Sequence, residues 1–426
     1  MSPLRVAIAG LGTVGTGLVR IITSDALRAP MQIVGVTARD QTRDRGVDLS
    51  AYEWFADPVA MAEAPGTDVF VELIGGDEGI AKDAIEAALA SGKHVVTANK
   101  ALIAKHGLAL AALAEEKGVA LRFEAAVAGG IPVIRALRDG LAGTDVKALQ
   151  GVLNGTCNFI LASMEAGASY ADALAEAQRI GFAEADPSFD VGGIDAAQKL
   201  AILAALAFGV MPPVEAIGPL GIDTASPADL AAAEELGLRM KLVAILRQDG
   251  GDLAARVAPA LVPLTSALDI GGGGENIVVA DAEPLGRVAF SGPGAGGGPT
   301  ASSLMADLVA VARGATGPAF GKPAADIDAN PSVTQDAEPV PHFLRVLVED
   351  RPGVLARLTE ILAETSISVE TIRQRSVVAD GDVEVVITTH AAPTSALSQA
   401  ATSIEALASV TSTPSVYPIL REATSS

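Results

Sequence analysis

The sequence LRVAIAGLGTVG, Leu4–Gly15, decides the fold class of the N-terminal part of this chain. Leu4–Ala9 is an apolar run typical of a buried strand, and G-x-G-x-x-G and a helical pattern, TVGTGLVRIIT, follow it directly. Gly10 permits a tight turn, Gly12 lets the backbone approach a pyrophosphate, and Gly15 allows close packing of helix on strand. Free N–H groups at the helix start favour phosphate. A plain glycine-rich turn is the alternative interpretation.

Strand and helix patterns continue to alternate after this motif. The helical pattern EGIAKDAIEAALASG lies between two of the strands, and the expected strands are Met31–Ala38, Asp68–Ile74, His94–Thr97 and Ala120–Ala126. Alternation of this kind is typical of a parallel sheet covered by helices. We therefore predict an α/β, Rossmann-type dinucleotide-binding domain over residues 1–135.

The end of the second strand bears on the choice of cofactor. NAD-specific sites usually carry an acidic residue there for the ribose 2′-hydroxyl. This chain instead has Thr37, Ala38 and Arg39, with Arg43 and Arg45 close behind. Arg39 could meet a 2′-phosphate, which favours NADP over NAD. An exposed loop arginine is the alternative.

Two charged residues adjoin later strands of this domain. Lys100 follows a strand at the carboxyl edge, where open α/β sheets bind ligands, although a surface lysine is equally compatible with the pattern. Glu124 lies inside an apolar strand, where a carboxylate needs a partner. Backbone carbonyls in the glycine turn at 127–132 could join it in holding a cation. A hydrogen-bonded structural glutamate is the alternative.

The stretch Glu184–Lys199, EADPSFDVGGIDAAQK, is the strongest candidate site. It contains one lysine and four carboxylates, Glu184, Asp186, Asp190 and Asp195. A helix is predicted from Ile194, which places Asp195 and Lys199 one turn apart on the same face. A solvated loop with an exposed ion pair is the alternative. However, the helix LAILAALAFGV is apolar on all sides, so we expect Lys199 to be buried and able to bind or move a proton.

Other parts of the middle region are less informative. A polar turn, NGTCNF at 154–159, precedes a helical pattern, and Thr156 or Asn158 could orient a small polar substrate or cap the helix. Residues 216–277 have a mixed pattern that predicts no particular element. We assign 136–290 to a catalytic domain.

The C-terminal part contains a return segment, a linker and a third domain. Residues 291–300, SGPGAGGGPT, form a second glycine-rich turn ahead of a helix, and we expect about 290–315 to return to the first domain and complete the cofactor cleft. Residues 316–341 are rich in Pro, Ala and Asp and are typical of a linker. Residues 342–420 alternate as strand, helix, strand, strand, helix, strand, which predicts a ferredoxin-like βαββαβ domain.

Composition narrows the classes of partner and compartment. The net charge of −21 argues against nucleic acid or an anionic membrane as partner. The single cysteine, Cys157, excludes an internal disulfide and a cysteine-based zinc site. The longest uncharged run, Leu200–Val214, is too short to span a bilayer, and MSPLRVAIAG lacks the pattern of a signal peptide. We expect a soluble, cytoplasmic protein.

Several of these motifs together resemble homoserine dehydrogenase in its longer form with a C-terminal ACT domain. The similar blocks occur in the family's order over nearly the whole chain: GLGTVG, TANKALIA, EAAVAGGIP, NGTCNFI, GFAEADPSFDVGGIDAAQKLAILA, GPGAGGGPTASS and DRPGVLARL. The resemblance implies reversible NAD(P)H-dependent reduction of L-aspartate 4-semialdehyde to L-homoserine, on the route to threonine and methionine. It also implies that the middle domain has an open sheet and forms a dimer, so we expect a homodimer or homotetramer.

The resemblance assigns roles to individual residues. Lys199 matches the proton donor to the aldehyde oxygen, and Lys100 matches a residue near cofactor and substrate that is also credited with proton transfer. Asp195 matches a substrate-binding carboxylate. Glu184 matches the residue that binds the substrate amino group, with Asp190 in the same polar network and Gly181 just before it.

The resemblance also implies cofactor, cation and effector sites. Thr13, Val14 and Gly296 match cofactor contacts. A site for Na⁺ or K⁺, formed by one carboxylate and backbone carbonyls, matches Glu124, Val127, Gly129 and Ile131. ACT domains commonly bind amino acids, so we expect threonine as effector, with its carboxylate near the backbone of 351–355. Cys157 and Phe159 stand where the family commonly has Thr or Ser and Tyr, which leaves the proposed proton-transfer groups unchanged.

Two competing interpretations remain open. One is another NAD(P)-dependent amino-acid or semialdehyde reductase, with different substrate contacts around Glu184 and Asp195. The other is a non-catalytic amino-acid sensor, in which a nucleotide-binding scaffold carries an ACT domain. A sensor would have no need of the proton donor Lys199, and turnover of any substrate by the purified protein would exclude it.

Overall fold

The computed structural model describes residues 3–24, 30–249, 252–334, 338–376 and 382–421. Its first part alternates strands and helices: β1 (Leu4–Ala9), α1 (Thr13–Ile22), β2 (Met31–Thr37), β3 (Glu53–Trp54), α2 (Pro58–Glu63), β4 (Val69–Glu72), α3 (Ile80–Ala90), β5 (His94–Thr97), α4 (Lys100–Lys117) and β6 (Leu121–Arg122). The strands form one parallel sheet in the order β3-β2-β1-β4-β5-β6. The order reverses beside β1, which creates the crevice that dinucleotides occupy. The predicted α/β, Rossmann-type domain is confirmed.

Both faces of this sheet are buried, which explains its almost continuously apolar strands. On one face Val6 and Ile8 of β1 pack with Leu18 of α1. On the other face Ala7 of β1 and Phe70 of β4 pack with residues of α3 and α4. Alternate residues of each strand therefore belong to two different hydrophobic cores.

The predicted strand at 120–126 is shorter than expected. Strand β6 ends at Arg122, and Glu124–Ala126 forms a 3₁₀ turn. The backbone N–H of Glu124 donates to Asp307 Oδ2 over 2.8 Å. Its partner is thus a side chain far along the sequence, so the local apolar pattern could not indicate where the strand stops.

The second part of the chain combines helices with a mixed sheet. Its elements are α5 (Val133–Arg135), β7 (Asp145–Val152), α6 (Gly155–Glu165), α7 (Tyr170–Arg179), α8 (Ser188–Val191), α9 (Ile194–Phe208), α10 (Val214–Ile217), α11 (Pro227–Glu234), β8 (Leu238–Asp249), β9 (Asp252–Pro263), β10 (Glu275–Glu283), β11 (Gly286–Pro293), α12 (Gly297–Ala312) and β12 (Val333–Thr334). The sheet order is β11-β10-β7-β8-β9-β12, antiparallel except between β9 and β12. The pairing of β8 with β9 occupies residues for which the sequence pattern predicted nothing.

Two helices bring the two sheets together. Helix α9 contacts β8 of the mixed sheet and α4 of the first domain, which explains its apolar surface on all sides. Helix α12 lies against α1, and a Cβ added at Gly17 would be only 3.1 Å from the carbonyl oxygen of Gly297. The start of α9 and the turn before α12 are thereby held beside the carboxyl edge of the parallel sheet.

The C-terminal part has the predicted βαββαβ order. It consists of β13 (His342–Glu349), α13 (Val354–Glu364), β14 (Val369–Ser376), β15 (Asp382–Thr389), α14 (Thr394–Glu405) and β16 (Ser415–Pro418). The antiparallel sheet has the order β14-β15-β13-β16. This sheet is the ferredoxin-like unit expected of an ACT domain, and that prediction is confirmed.

The segment expected to be a linker packs on the preceding domains over its described residues. Phe320 is buried and its ring centroid lies 5.0 Å from that of Phe123. Strand β12 of this segment pairs with β9. The end of the C-terminal domain also contacts β9, since Leu420 N–H donates to the carbonyl of Leu261.

Within the described parts of the chain, no helix has the length and apolar surface needed to cross a bilayer.

Candidate active site

A cavity of about 720 Å³ lies between the parallel sheet and the mixed sheet. Charged side chains reach it from the start of α4, from α8 and from the first turns of α9: Lys100, Asp190, Asp195 and Lys199. Val14 of α1 and Gly296, just before α12, line the same cavity. The cavity therefore lies between the start of α1 in the dinucleotide-binding domain and the acidic stretch singled out by the sequence.

Asp195 joins two lysines at the centre of the site. Its Oδ2 accepts a hydrogen bond from Lys199 Nζ over 2.8 Å, and its Oδ1 lies 3.0 Å from Lys100 Nζ. Asp195 is 4% exposed and Lys199 8%, so this is a largely desolvated cluster. Burial alone would raise the pKa of Asp195, but the two ammonium groups outweigh it and lower that pKa to about 2.

Lys199 is held by a second acceptor and by the geometry of its helix. Its Nζ donates to the carbonyl oxygen of Leu153 over 2.6 Å. Helix α9 begins after Gly193, whose φ of +80° is readily adopted only by glycine. The turn there directs the first residues of the helix at the cavity. Lys199 is buried at its edge, as the sequence predicted.

Asn154 is a site residue that the sequence analysis did not single out. Its Nδ2 donates to Asp190 Oδ1 over 2.8 Å and to Asp195 Oδ2 over 2.9 Å. Its Oδ1 accepts the N–H of Cys157 and so caps α6. One amide therefore fixes the start of a helix and bridges two carboxylates; an asparagine immediately before a helical pattern is the signal that could have identified it.

Thr156 and Asn158, for which the sequence left substrate orientation or helix capping open, have other partners. Thr156 Oγ1 donates to the carbonyl of Phe182 over 2.9 Å, and Thr156 lines the cavity. Asn158 is buried, donates to the carbonyl of Gly271 and accepts from Lys241 Nζ. Of the two, only Thr156 faces the space a substrate would occupy.

Asp190 differs from Asp195 in its electrostatic surroundings. Burial raises the pKa of Asp190, the hydrogen bond from Asn154 opposes that rise, and the charge of Asp195 adds to it. No lysine or arginine lies within ion-pair distance of Asp190 in the described ranges. A substrate with an ammonium group would give Asp190 a direct ion-pair partner.

A second cavity, of about 520 Å³, extends from the glycine turn. Gly10 and Gly12 line it together with three arginines of the loop after β2, Arg39, Arg43 and Arg45. Gly10 has φ of +104°, and an added Cβ would be 2.3 Å from the carbonyl oxygen of Leu73. A Cβ added at Gly12 would meet nothing within 4 Å, so the backbone there is open to a ligand.

Comparison with known proteins decides the family. Residues 10–124 match the family described as homoserine dehydrogenase, NAD binding domain, residues 132–309 match homoserine dehydrogenase, and residues 342–409 match the ACT domain. The chain belongs to the homoserine dehydrogenase family. The resemblance inferred from its motifs is thereby confirmed.

Individual relatives extend over almost the whole chain. It is 39% identical to the homoserine dehydrogenase of Neisseria gonorrhoeae, with 96% of each chain covered. A crystal structure of a homoserine dehydrogenase from Thiobacillus denitrificans is similar with a TM-score of 0.90 and 38% identity, covering 99% of both chains. A hyperthermophilic archaeal homoserine dehydrogenase mutant in complex with NADPH is similar with a TM-score of 0.62 and 30% identity, covering 72% of this chain and 97% of that one.

Of two predicted substrate contacts, one lines the main cavity and the other does not. Gly181 lines the main cavity. Glu184 is exposed and does not belong to the cavity lining, while its carbonyl accepts a hydrogen bond from Gln178 Nε2. The structure thus brings together Lys100, Asp190, Asp195 and Lys199 but leaves Glu184 outside them, and its role stays a prediction.

The predicted cation site is a hydrogen-bonded cluster. The Glu124 carboxylate accepts N–H groups from Ile134 and Arg135, each over 3.0 Å. The carbonyl of Gly129 accepts Ser303 Oγ, and that of Ile131 accepts the N–H of Val133. Burial, followed by the charge of nearby Asp307, raises the pKa of Glu124 to about 7.

Proposed function

We propose that this chain catalyses the reversible NAD(P)H-dependent reduction of L-aspartate 4-semialdehyde to L-homoserine. The observation that carries the proposal is the cluster of buried Lys199 and Asp195 with half-buried Lys100, which opens onto the cavity that Val14 and Gly296 also line. Membership of the homoserine dehydrogenase family supports the same reaction. When bound, the reduced nicotinamide supplies a hydride to the aldehyde carbon.

Lys199 would give its proton to the aldehyde oxygen as negative charge develops there. A fixed ammonium group stabilises that charge more in the transition state than in the ground state. Asp195 holds both lysines, so it keeps Lys199 aimed at the cavity and places Lys100 beside the same oxygen. Asp190 lines the cavity without an ion-pair partner among the described residues, so we assign it to the substrate's ammonium group, with Glu184 as a second, more exposed contact.

The test of this mechanism is Lys199→Ala assayed with L-homoserine. Loss of a general acid should lower kcat by a factor on the order of 10² or more while cofactor affinity, followed by fluorescence titration, stays near normal. Lys105→Ala is the matched control, because Lys105 lies on α4 but forms exposed ion pairs with Asp77 and Glu78. Lys100→Ala in the same assay decides how the two lysines divide proton transfer. A Lys199→Ala enzyme with near-normal kcat would contradict the assignment.

We infer that NADP is the preferred cofactor. Arg39 and Arg43 border the cavity beside the glycine turn, and within the described ranges neither side chain has an ion-pair or hydrogen-bond partner. Asp40, the nearest acid to the end of β2, has its Oδ1 occupied by the N–H and Oγ1 of Thr42. Two unpaired guanidinium groups favour a 2′-phosphate. The ratio of kcat/KM for NADP and NAD with L-homoserine tests this, and a preference for NAD would overturn it.

We also propose that a monovalent cation binds beside Glu124, with the carbonyls of Val127, Gly129 and Ile131. Hard oxygen ligands suit Na⁺ or K⁺, and the carbonyls of Gly129 and Ile131 each keep a lone pair after the hydrogen bond that they accept. A nearby cation would offset the burial that raises the pKa of Glu124. Initial rates in NaCl or KCl against choline chloride at equal ionic strength test it, and equal rates in all three would remove the proposal.

For regulation, we propose that threonine binds the ACT domain at the start of α13, near the backbone of 351–355. Arg351 is exposed there, paired only with Glu349 among the described residues. Arg351→Glu should raise the threonine concentration needed for half-inhibition, whereas Arg313→Glu, at the end of α12, should not. Inhibition by threonine that is unchanged in Arg351→Glu would place the effector elsewhere.

We also propose that the chain assembles as a homodimer or homotetramer. Sedimentation equilibrium measures its mass in solution and tests this.

A further inference from the structure

Arg45 differs from the other two arginines of the cofactor cavity in what its guanidinium contacts. Its Nε donates to the carbonyl of Leu11 over 3.2 Å, its Nη1 to that of Arg43 over 2.8 Å, and its Nη2 to that of Asp40 over 2.5 Å. Its guanidinium carbon lies 5.7 Å from the ring centroid of Trp54. All three guanidinium nitrogens thus donate to backbone carbonyls, and one face of the guanidinium packs against the indole ring of Trp54.

The three carbonyls belong to two different segments. Leu11 lies between Gly10 and Gly12 in the turn that precedes α1, while the other two acceptors lie in the loop between β2 and β3. A planar guanidinium can bridge such acceptors in fixed directions, which a lysine ammonium on a flexible stem cannot reproduce. Arg45 therefore ties the arginine-bearing loop to the glycine turn.

Val47, Leu49 and Tyr52 hold the later part of this loop against the core, and Arg45 acts on the part before them. Residues 38–52 contain neither helix nor strand, and a segment of that length loses much conformational entropy when ordered. Within it, Asp40, Asp44 and Asp48 each accept the N–H two residues ahead, which fixes local turns only. The bond to Leu11 instead relates the loop to the place where the cofactor's phosphates would bind.

We propose that Arg45 is a positioning residue for cofactor selection. It is not itself the ligand of the 2′-phosphate; it holds the loop so that Arg39 and Arg43 stand at a fixed distance from the glycine turn. The inference rests on the proposed preference for NADP. It predicts that a change at Arg45 alters discrimination between NADP and NAD, although the side chain that changes does not touch the group that distinguishes them.

The test is Arg45→Lys in the full-length enzyme, since lysine keeps the charge but loses the three directed bonds. We expect KM for NADP to rise about tenfold, with KM for NAD, KM for L-homoserine and kcat at saturating NADP changing less than twofold. Arg20→Lys is the matched control, because Arg20 makes a single long bond of 3.4 Å to the same loop at Gly46. Trp54→Leu removes the stacking face and should shift the cofactor ratio in the same direction.

A double-mutant cycle separates positioning from direct binding. In an Arg39→Ala, Arg43→Ala background, Arg45→Lys should have no further effect on the NADP/NAD ratio, because no phosphate ligands remain to be positioned. An undiminished effect in that background would make Arg45 a ligand and overturn the inference. An equal rise in both KM values would reduce Arg45 to a structural role and overturn it as well. If the unmodified enzyme prefers NAD, the proposed cofactor fails first, and that measurement is independent of every variant.

Discussion

Replacing Asn154 with aspartate tests the polar network of the site with almost no change in shape. Asn154 is 2% exposed, and its amide lies 2.8 Å from Asp190 and 2.9 Å from Asp195. Asn154→Asp keeps the oxygen that caps α6, because aspartate and asparagine are similarly good N-cap residues. What it removes is the donor between the two carboxylates, and what it adds is a third acid.

The expected magnitude follows from these contacts. A hydrogen bond to a charged group contributes about 1.5–3 kcal/mol, so losing two of them should lower the free energy of unfolding by about 3–6 kcal/mol before relaxation. Repulsion raises the pKa of the new carboxyl group in the folded state, and a protonated carboxyl can donate to one neighbour. Because the folded state then binds the extra proton, stability falls as pH rises from the unfolded pKa of about 4 towards the raised folded value.

Urea unfolding at pH 5 and pH 8 measures this effect, together with initial rates on L-homoserine. We expect the deficit of Asn154→Asp against the unmodified enzyme to be larger at pH 8. We also expect kcat/KM to fall on the order of 10²-fold at pH 8, because Asp195 no longer holds Lys199 in place. Asn154→Ser, which caps but cannot bridge both carboxylates, should show a deficit with little dependence on pH. Equal deficits at both pH values, with normal kcat/KM, would refute the reasoning.

Three further predictions concern buried groups away from Asn154. Without Na⁺ or K⁺ the pKa of Glu124 is raised to about 7, so in choline chloride the stability of the unmodified enzyme should fall between pH 4.5 and 7, and Glu124→Gln should flatten that fall in urea titrations. Burial lowers the pKa of His342 to about 4, so stability should be lost as pH drops from 6.5 towards 4, and His342→Gln should remove much of that loss. Phe320→Ala should cost about 3–5 kcal/mol in unfolding free energy, because Phe320 is 1% exposed and packs on Phe123; a loss below about 1 kcal/mol would show that the segment is not anchored there.

Sequence reasoning succeeded where the deciding interactions are local. The helix starts at Thr13 and Ile194 and the pairing of Asp195 with Lys199 depend on glycines and on a spacing of four residues. It failed over 216–277, where the long strands β8 and β9 are defined by pairing with each other and with β7. Consecutive residues of both strands are buried, over 240–244 and 257–262, and a strand covered on both faces carries no clear alternating pattern.

The sequence alone does not show that Asp190 lines the cavity while Glu184 lies outside its lining. Glu184 and Asp190 look equivalent in the stretch EADPSFD, yet Asp190 is bonded to Asn154 and Glu184 is exposed. Asp190 lies on α8, where its carboxylate accepts a hydrogen bond from Asn154, whereas Glu184 precedes that helix and is exposed. The spacing of these seven residues therefore does not show which of the two carboxylates faces the cavity.

By itself, the sequence determined the parallel-sheet nucleotide domain, the βαββαβ C-terminal domain, the family and the buried lysine of the site. The two domains and the buried lysine follow from backbone conformations that only glycine adopts readily and from apolar periodicities, both of which neighbouring residues specify, whereas the family follows from the resemblance of the motifs. Only the tertiary structure decided that Lys100 meets Asp195 and that Asn154 bridges two acids. Those groups are far apart along the chain, and their distances are set by how α9 packs between the two sheets.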